Sequence, residues 1–203
     1  MGKRLNKHEW FVGPCDLKVA QRLVKDYHYS HTSGTPTYCH GMCKSDGKIV
    51  GAALWMPPTR EAAMNTYPEG DWRKVLSLSR LVCHPDVPKN GASFLMAGSI
   101  RIISKQGNWR CLVTYADTSQ GHTGAIYRAT NWEYVGATVT RDIWRDSQGL
   151  MRSKKHGHES YSRDHMIGQG WEQQEACPKH KFRMLLPFKE SKGEQVQLFD
   201  MAA

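Results

Sequence analysis

The sequence has no hydrophobic run long enough to cross a membrane, since no stretch approaches the roughly 20 apolar residues that a spanning helix needs. Residues 1–4 lead straight into polar sequence, without the apolar core of a secretory signal. Asn6 stands where a myristoylation signal needs Ser or Thr. Internal repeats and low-complexity tracts are also missing. We therefore expect a cytoplasmic globular protein without a membrane partner.

Acidic residues are too few to balance the basic ones. The chain has 19 Asp and Glu against 28 Lys and Arg, a formal net charge of +9, and 10 His besides. This excess suits a polyanionic partner, although many basic proteins bind no specific one. The cations cluster between residues 141 and 165, where Trp144 and Tyr161 could stack on bases. We expect this segment to bind the phosphate backbone of a nucleic acid through Arg141, Arg145, Arg152, Lys154, Lys155 and Arg163.

The cysteines do not show the regular spacing that is typical of disulfide-rich proteins. The 6 cysteines are scattered along the chain, and in a reducing compartment we expect them to be thiols. Cys39 and His40, with Cys43, resemble half of a metal site. Because Cys39 and Cys43 are an even number of residues apart, the favoured interpretation is that they share one face of a strand. We predict no metal site; iron bound by His and Tyr or Asp side chains is chemically reasonable, but no ligand spacing requires it.

The hydrophobic pattern predicts one α/β domain. At 203 residues and 39% hydrophobic composition the chain can bury a sizeable core. Apolar runs and alternation predict strands over residues 9–12, 37–43, 48–55, 76–82, 110–116, 132–143 and 181–187. Helical spacing predicts helices over residues 17–24, 92–106 and 123–129. This order indicates a mixed sheet flanked by helices, in which an antiparallel meander precedes a parallel crossover. We expect a single domain over residues 1–189, a basic excursion at 141–177 and a flexible tail at 190–203.

A strand, a loop with one glycine and a helix follow one another over residues 76–103. The first N–H groups of a helix have no partner within it, and the helix dipole adds positive potential there. Lys89 supplies a mobile cation, and Gly91 lets a ligand approach the backbone. The arrangement is suited to binding phosphate, although many α/β proteins turn a strand into a helix with one glycine and bind nothing there.

The order of elements, with this turn at the fourth strand, resembles the GNAT acyltransferase fold. Residues 81–85 followed by 89–92 resemble the acyl-CoA loop of that family, in a shorter form with a single glycine. Residues 125–133 resemble its later helix, which carries a Tyr. The resemblance implies that acetyl-CoA or a related acyl donor is held by Leu81, Val82, Cys83, Lys89, Asn90, Gly91, Ala92 and Ser93.

A closer resemblance is to the phage Mom family of DNA-modifying proteins, which are proposed to be divergent members of the same fold. It rests on Tyr27-His28-Tyr29-Ser30, on Ser79-Arg80-Leu81, and on Tyr115-Ala116-Asp117 with Tyr127 further along the chain. The resemblance implies modification of adenine in double-stranded phage DNA to an N6-carbamoylmethyl form, which protects the DNA from host restriction. It also implies a location in the host cytoplasm.

The resemblance gives Tyr127 and Asp117 candidate catalytic roles. The Tyr127 phenol could protonate a departing CoA thiolate, while the simpler interpretation is a Tyr in the core. Asp117 follows a buried strand at its carboxyl end, where α/β sheets place their ligands. It could accept a proton or orient the attacking amine, and the alternative is a helix N-cap without any chemistry.

Arg80, His28 and Tyr29 complete the predicted catalytic set. Arg80 lies between apolar residues of a strand, so its charge needs a partner, which is either Asp117 or the substrate. His28 and Tyr29 lie in the loop that borders the acceptor site in this fold. They could bind an extruded base, because chemistry at N6 of a paired adenine requires its removal from the duplex. The alternative for His28 is an ordinary polar loop residue.

Two other functions fit the same sequence. One is an N-acyltransferase that acts on a small amine, a protein or an amino-bearing hypermodified pyrimidine. The other is a DNA-binding module that keeps the fold and has no catalytic activity. The identity of the donor is also open, because simple acetyl transfer to adenine would give an N6-amide and not a carbamoylmethyl group.

Overall fold

The structure, a computed structural model, describes residues 5–138, 143–152, 155–156, 159–174 and 177–187. Its strands are Trp10–Pro14 (β1), Tyr38–Lys44 (β2), Ile49–Met56 (β3), Val75–Cys83 (β4), Cys111–Asp117 (β5), Glu133–Ala137 (β6), Ile143–Arg145 (β7), Met151–Arg152 (β8), Lys155–His156 (β9), Glu159–Ser160 (β10), Glu172–Gln174 (β11) and Lys179–Leu185 (β12). Its α-helices are Leu17–Tyr27 (α1), Arg60–Met64 (α2), Gly91–Gln106 (α3), Ala125–Arg128 (α4) and Arg163–Gly168 (α5). Arg141, Lys154 and the tail predicted at 190–203 lie outside the described residues.

Seven strands form one sheet in the order β1-β2-β3-β4-β5-β12-β6, and the predicted mixed sheet flanked by helices is confirmed. The chain divides into two compact units. As far as the structure describes them, the first unit contains residues 5–112 and 185–187, and the second contains residues from 113 to 184. None of the described helices is both long enough and apolar enough to span a bilayer.

The first unit is built on an antiparallel meander of β1, β2, β3 and β4, as predicted. Helix α1 covers one face of this meander. Its N-cap, Asp16, accepts hydrogen bonds from the first amides of the helix. Ala20 and Val24 of α1 are fully buried and belong to one cluster with Leu54 of β3 and Val82 of β4. This apolar cluster attaches α1 to the centre of the meander.

Helix α3 covers the opposite face of the same strands. A Cβ atom at Gly51 would lie 3.2 Å from a methyl group of Leu95, which shows how closely α3 approaches β3. Where α3 crosses β2 and β3, it makes a buried polar network: Trp55 Nε1 donates to Ser99 Oγ (2.6 Å), and Ser99 Oγ lies 2.6 Å from His40 Nδ1. An indole N–H can only donate, so the Ser99 hydroxyl has its own proton left for His40. Burial lowers the pKa of His40, which favours the neutral imidazole, the form that can accept the Ser99 proton at Nδ1.

The second unit contains β5, β12 and β6 of the large sheet and two smaller sheets. Strand β6 pairs antiparallel with β12, and the register shifts between Lys181 and Phe182. Strand β7 lies between β11 and β8 in a three-stranded antiparallel sheet, and β9 pairs with β10. The strand predicted over 132–143 is therefore too long, because β6 ends at Ala137 and Ile143 begins a strand of another sheet.

Two regions for which the sequence pattern predicts no helix or strand contain helices. Residues 59–74 include α2 and a short 3-10 helix, Trp72–Lys74, and the segment after residue 145 includes α5. Thr59 accepts from the N–H of Ala62 at the start of α2, and Ser162 accepts from the N–H of His165 in α5. Ser and Thr N-caps of this kind are a sequence signal, but helices of five or six residues are too short to show a periodic apolar face.

Candidate functional site

The predicted strand–loop–helix turn is present in the first unit. Strand β4 ends at Cys83, residues 84–90 form the loop, and α3 begins at Gly91. Inside the loop, the N–H of Val87 donates to the carbonyl of His84 (3.0 Å). The loop thus closes as a hydrogen-bonded turn directly before the helix.

The amino end of α3 has no side-chain cap. Asn90 occupies the N-cap position, but its Oδ1 accepts the N–H of Leu5 (2.8 Å) and not an amide of the helix. Ser93 Oγ donates to the carbonyl of Asn90 (2.9 Å). Within the part of the chain that the structure describes, the N–H groups of Ala92 and Ser93 have no acceptor. These two amides are therefore oriented as donors for an anion at the start of α3.

The structure explains the glycine at position 91 by packing inside the loop, which the sequence did not predict. A Cβ atom at this position would lie 2.1 Å from Cγ1 of Val87, so the absence of a side chain makes room for the loop and not for a ligand. Its N–H donates to the carbonyl of Pro88 (2.7 Å). Gly91 is buried and closes the turn, and its place among the donor-binding residues stays a prediction.

The other residues predicted to hold the donor differ in exposure. Val82 is buried, Leu81 and Cys83 are half-buried, and Lys89 is exposed. Burial raises the pKa of the Cys83 thiol to about 12. Cys83 therefore stays protonated at neutral pH and is not a nucleophile.

Arg80 connects β4 to the loop that carries His28 and Tyr29. Its Nε donates to the carbonyl of Thr32 (2.7 Å), and its Nη1 donates to the carbonyl of Ser79 (2.6 Å). Burial lowers the pKa of the guanidinium, and the phenol of Tyr29 opposes that change. The guanidinium of Arg80 thus has backbone carbonyls as its hydrogen-bond partners. Its contact with Thr32 was not predicted from the sequence.

His28 and Tyr29 form a stacked pair in this loop, with ring centroids 4.4 Å apart. His28 Nδ1 accepts from the backbone N–H of Ser30 (3.1 Å) and lies 2.9 Å from Ser30 Oγ. Because a backbone N–H must donate, Nδ1 carries no proton, and the neutral ring has its proton on Nε2. Tyr29 is 40% exposed, so part of this stack is open to solvent. The structure thus brings three of the predicted residues, His28, Tyr29 and Arg80, into one local arrangement.

Asp117 is buried at the end of β5 and forms an ion pair with Lys179, whose side chain is 43% exposed. Its Oδ2 lies 2.8 Å from Nζ of Lys179, and its Oδ1 accepts from Ser119 Oγ (2.6 Å) and from the Ser119 N–H (3.1 Å). Asp117 is also the N-cap of the 3-10 helix Thr118–Gln120, the alternative considered from sequence. Burial acts to raise the pKa of Asp117, but the hydrogen bonds from Lys179 and Ser119 and the lysine charge outweigh it, so the pKa lies below its usual range.

Tyr127 belongs to helix α4 and packs into an aromatic cluster. Its ring centroid lies 5.9 Å from that of Trp132 and 5.2 Å from that of Phe182. The phenol is hydrogen-bonded to the side chain of Thr114 on β5. Burial raises the pKa of Tyr127 while the Thr114 hydrogen bond opposes that rise, so the phenol is protonated at neutral pH.

Asp117 and Tyr127 belong to the same unit but use opposite faces of its strands. Asp117 and Thr114 are three residues apart on β5, and successive side chains of a strand alternate between faces. Lys179 and Phe182 are likewise three residues apart on β12. The pair Asp117–Lys179 therefore lies on one face, and Tyr127 with Thr114 and Phe182 lies on the other.

The predicted basic segment is partly neutralised by its own contacts. Arg152 pairs with the carboxylate of Asp146, with Nε 2.8 Å from Oδ2. Arg145 donates from Nη1 to the carbonyl of Gly149 (2.7 Å). Arg163, at the start of α5, is exposed. Arg141, Lys154 and the side chain of Lys155 lie outside the described residues.

Over the described ranges, no group of three or more His, Cys, Asp or Glu side chains could hold a metal ion. Cys39 and His40 lie on β2, and the imidazole of His40 is hydrogen-bonded to Ser99 in the buried network. Burial raises the pKa of Cys39. The interpretation of Cys39 and Cys43 as residues of one strand is confirmed.

Comparison with known proteins assigns the family. The model of the Mom protein family matches residues 9–201. The chain belongs to the Mom protein family. A curated relative, "Methylcarbamoylase mom" of Escherichia phage Mu, is 25% identical over 123 residues, which are 59% of this chain and 50% of that protein. The matched region thus spans about half the length of this Mom relative.

Solved acetyltransferases share the fold of this Mom-family chain. The ribosomal-protein-S18-alanine N-acetyltransferase of Escherichia coli is similar with a TM-score of 0.54 and 10% identity, over 90% of this chain and 97% of that chain. The spermidine N-acetyltransferase of Vibrio cholerae, solved with CoA and spermine, is similar with a TM-score of 0.51 and 6% identity, over 89% of this chain and 97% of that chain. At these identities the similarity establishes the GNAT fold alone.

Proposed function

We propose that this protein is a transferase that modifies the exocyclic amine of adenine in double-stranded phage DNA, giving an N6-carbamoylmethyl or related acyl-type derivative. The observation that carries the proposal is the match to the Mom family over residues 9–201. The methylcarbamoylase name of the phage Mu relative supports the type of product. A bulky group on adenine would protect phage DNA by blocking recognition by restriction enzymes.

The donor in this proposal is acetyl-CoA or a related acyl-CoA, bound at the turn between β4 and α3. The amides of Ala92 and Ser93 and the exposed Lys89 would hold its pyrophosphate, since they combine backbone donors, the helix dipole and a mobile cation. Leu81, Val82, Cys83, Asn90 and Gly91 shape the turn. The GNAT fold, and the CoA in the spermidine N-acetyltransferase structure, support this assignment.

Tyr127 acts as the general acid. In the transfer step, N6 of adenine forms a bond to the acyl carbon while the bond from that carbon to sulfur breaks. The departing thiolate takes the proton of the Tyr127 phenol, and the proton lost from N6 returns to Tyr127 through water. The burial-raised pKa keeps the phenol in the protonated form that this step requires. This step gives an N6-acyl product. A carbamoylmethyl product bonds N6 to a methylene carbon and would require a donor whose methylene carbon carries the leaving group, so the mass of the modified nucleoside identifies the donor.

Asp117 has a separate role as a positioning residue. Its carboxylate is occupied by Lys179 and Ser119, on the strand face opposite to Tyr127. We assign to it the shape of the turn that follows β5, where it caps the 3-10 helix. The carboxyl end of a sheet strand is the usual location of substrate in α/β proteins, so this turn would border the substrate.

His28 and Tyr29 bind the adenine after its extrusion from the duplex. Tyr29 is 40% exposed and offers an aromatic surface for stacking, next to the His28 ring with which it is stacked. Arg80 holds their loop in place through Thr32. Arg145, Arg152, Lys155 and Arg163, with Arg141 and Lys154, would bind the phosphate backbone.

The decisive experiment is mass spectrometry of nucleosides from cells that express the protein. We expect a modified deoxyadenosine in cells with the wild-type chain and only ordinary deoxyadenosine in cells with Tyr127→Phe. The mass of the added group distinguishes carbamoylmethyl from acetyl. DNA with unmodified adenine in cells that hold soluble, folded wild-type protein would contradict the proposal, and retained DNA binding would then indicate a non-catalytic module.

A further inference from the structure

A cleft of about 600 Å³ lies between β1 and α3, within the first unit. Strand β1 is at one end of the sheet order and, among the described strands, pairs only with β2, so the cleft lies along an edge of the described sheet. Its floor is the close approach of α3 to β1, where a Cβ atom at Gly98 would lie 2.7 Å from Cβ of Val12. The predicted catalytic and donor-binding residues do not line this cleft.

The cleft is lined by basic side chains from two elements. Arg101 and Lys105 are one turn apart on α3, and Lys7 and His8 come from the 3-10 helix Lys7–Glu9. The described lining contains no carboxylate. Among the residues that the structure describes, the side chains of Lys7, Arg101 and Lys105 form no ion pair. Like charges at i and i+4 of a helix repel each other, so an anion placed between them would be favoured.

Aromatic surface accompanies these charges. Phe11 of β1 is 56% exposed, and Phe94 of α3 is half-buried beside it in the lining of the same cleft. Cationic grooves with exposed aromatic rings are typical of surfaces that follow a nucleic acid strand, where phosphates contact Lys and Arg and the aromatic rings contact bases or sugars. Because the cations and the rings line a concave cleft, a polyanionic strand fits them better than a flat lipid surface does.

We propose that this β1–α3 cleft binds the phosphate backbone of DNA, as a binding surface additional to the basic segment after residue 140. The inference rests on the proposed function for the identity of the polyanion. Arg101 lies ten residues beyond Gly91, roughly 15 Å along the axis of α3 at about 1.5 Å per residue. The cations of the cleft are therefore separate from the amides proposed to hold the donor pyrophosphate, whereas Phe94 lies at the end of the cleft nearer to those amides.

The test is DNA binding by the full-length protein as a function of salt, measured by fluorescence anisotropy on a duplex oligonucleotide. The variant is the double substitution Arg101→Ala with Lys105→Ala. A matched control is Lys18→Ala with Arg22→Ala, because these residues are an exposed i, i+4 pair of the same charge on α1 and do not line the cleft. We expect the α3 variant to bind roughly ten-fold more weakly, with a salt slope smaller by roughly 0.9 for each phosphate that the protein no longer neutralises. The control should stay near wild type.

Three results would overturn the inference. If the α3 variant keeps the wild-type DNA affinity and salt slope, the cleft does not bind DNA, and the proposed function is unaffected. An equal loss in the α1 control would attribute the effect to net charge alone. Weaker affinity for CoA, measured by calorimetry, with unchanged DNA affinity would assign the cleft to the donor. Failure of the wild-type protein to bind DNA under any salt condition would instead contradict the proposed function itself, and the cleft assignment with it.

Discussion

At the scale of single residues, the contrast between Tyr127 and Thr114 gives the sharpest test of catalysis. We expect Tyr127→Phe to reduce modified adenine by roughly 100-fold or more, because a general acid contributes at least that much. The cost in unfolding free energy should be only about 1 kcal/mol, the value of one hydrogen bond. Nucleoside mass spectrometry and urea unfolding on the same preparations measure both quantities.

Thr114→Val is the matched control, since it removes the same hydrogen bond and keeps the phenol. It should retain most of the activity. As an acid, Tyr127 must be protonated, so activity should fall as the pH rises through its raised pKa. Because the Thr114 hydrogen bond lowers that pKa, Thr114→Val should move the loss to still higher pH. An active Tyr127→Phe protein would assign the ring to packing against Trp132 and Phe182.

The ion pair of Asp117 predicts a specific loss of stability in acid. Its folded-state pKa lies below the ordinary value of about 3.9, so the carboxylate contributes stability above that value and loses it as the pH falls through the folded pKa. Asp117→Asn should therefore lower the unfolding free energy at neutral pH and remove this part of the acid-side decline. Urea titrations at several pH values below about pH 5 measure the difference.

Lys179→Met and the double variant complete the cycle for this pair. If the two side chains stabilise each other, the double variant should cost clearly less than the sum of the two single variants. Additive costs, together with an unchanged acid profile in Asp117→Asn, would show that the pair contributes nothing to stability. Because Asp117 and Tyr127 occupy opposite strand faces, we also expect the effects of Asp117→Asn and Tyr127→Phe on activity to be nearly independent.

The partners of the predicted site residues were beyond the reach of sequence reasoning. Asp117 could be recognised as the end of a buried strand, but Lys179 is contributed by β12, the last strand, with no local pattern that connects the two. Thr32 was likewise one hydroxyl residue among several in its loop. Long-range pairs of this kind depend on which strands become neighbours, and a single chain contains no local signal for that.

At the scale of elements, the strand–loop–helix turn was predictable while the reason for its glycine was not. Local hydrophobic periodicity indicated β4 and α3 with boundaries close to those observed, because both are long and apolar. The contact between Gly91 and Val87 depends on the path of the loop, which no periodicity encodes. A glycine at the start of a helix indicates that a side chain does not fit there. Only the structure shows that the atom it would collide with belongs to Val87.

Gly91→Ala tests this packing. With a new Cβ 2.1 Å from Val87 Cγ1, the turn must shift, and we expect a loss of about 1–3 kcal/mol in unfolding free energy. Combination with Val87→Ala should recover part of that loss, since the colliding methyl group is gone. Gly13→Ala is the control, because its Cβ would meet nothing within 4 Å. Additive losses in the double variant would show that the contact does not determine the residue at position 91.

At the scale of the whole molecule, the net charge overestimates the number of cations in the basic segment that are accessible to DNA. The clustering of cations after residue 140 was evident from sequence, but the partner of Arg152 was not, since Asp146 looks like one more polar loop residue. The chain uses part of its positive charge internally, as at Arg152, and leaves other cations, as on α3, without carboxylate neighbours in the described lining of the cleft. Composition reports the sum of these charges, whereas binding depends on the cations that remain accessible.

We therefore expect Arg163→Ala to weaken DNA binding more than Arg152→Ala does. Arg163 is exposed at the start of α5, whereas the charge of Arg152 is already compensated by Asp146. The salt slope should fall by roughly 0.9 for Arg163→Ala and by clearly less for Arg152→Ala. Anisotropy titrations across a range of salt concentrations decide between them, and a larger effect of Arg152→Ala would mean that the Asp146 pair opens when DNA binds.

The buried network of His40, Ser99 and Trp55 restricts the rotation of α3 about its own axis. An apolar interface tolerates several rotations of a helix about its axis, whereas one hydroxyl that satisfies two ring nitrogens permits a single rotation. A displacement by one residue would turn α3 by roughly 100°, given about 3.6 residues per turn. Ser99 thus fixes the rotation of α3 against β2 and β3, so the amides at its amino end and the cations along its flank keep one orientation relative to the meander.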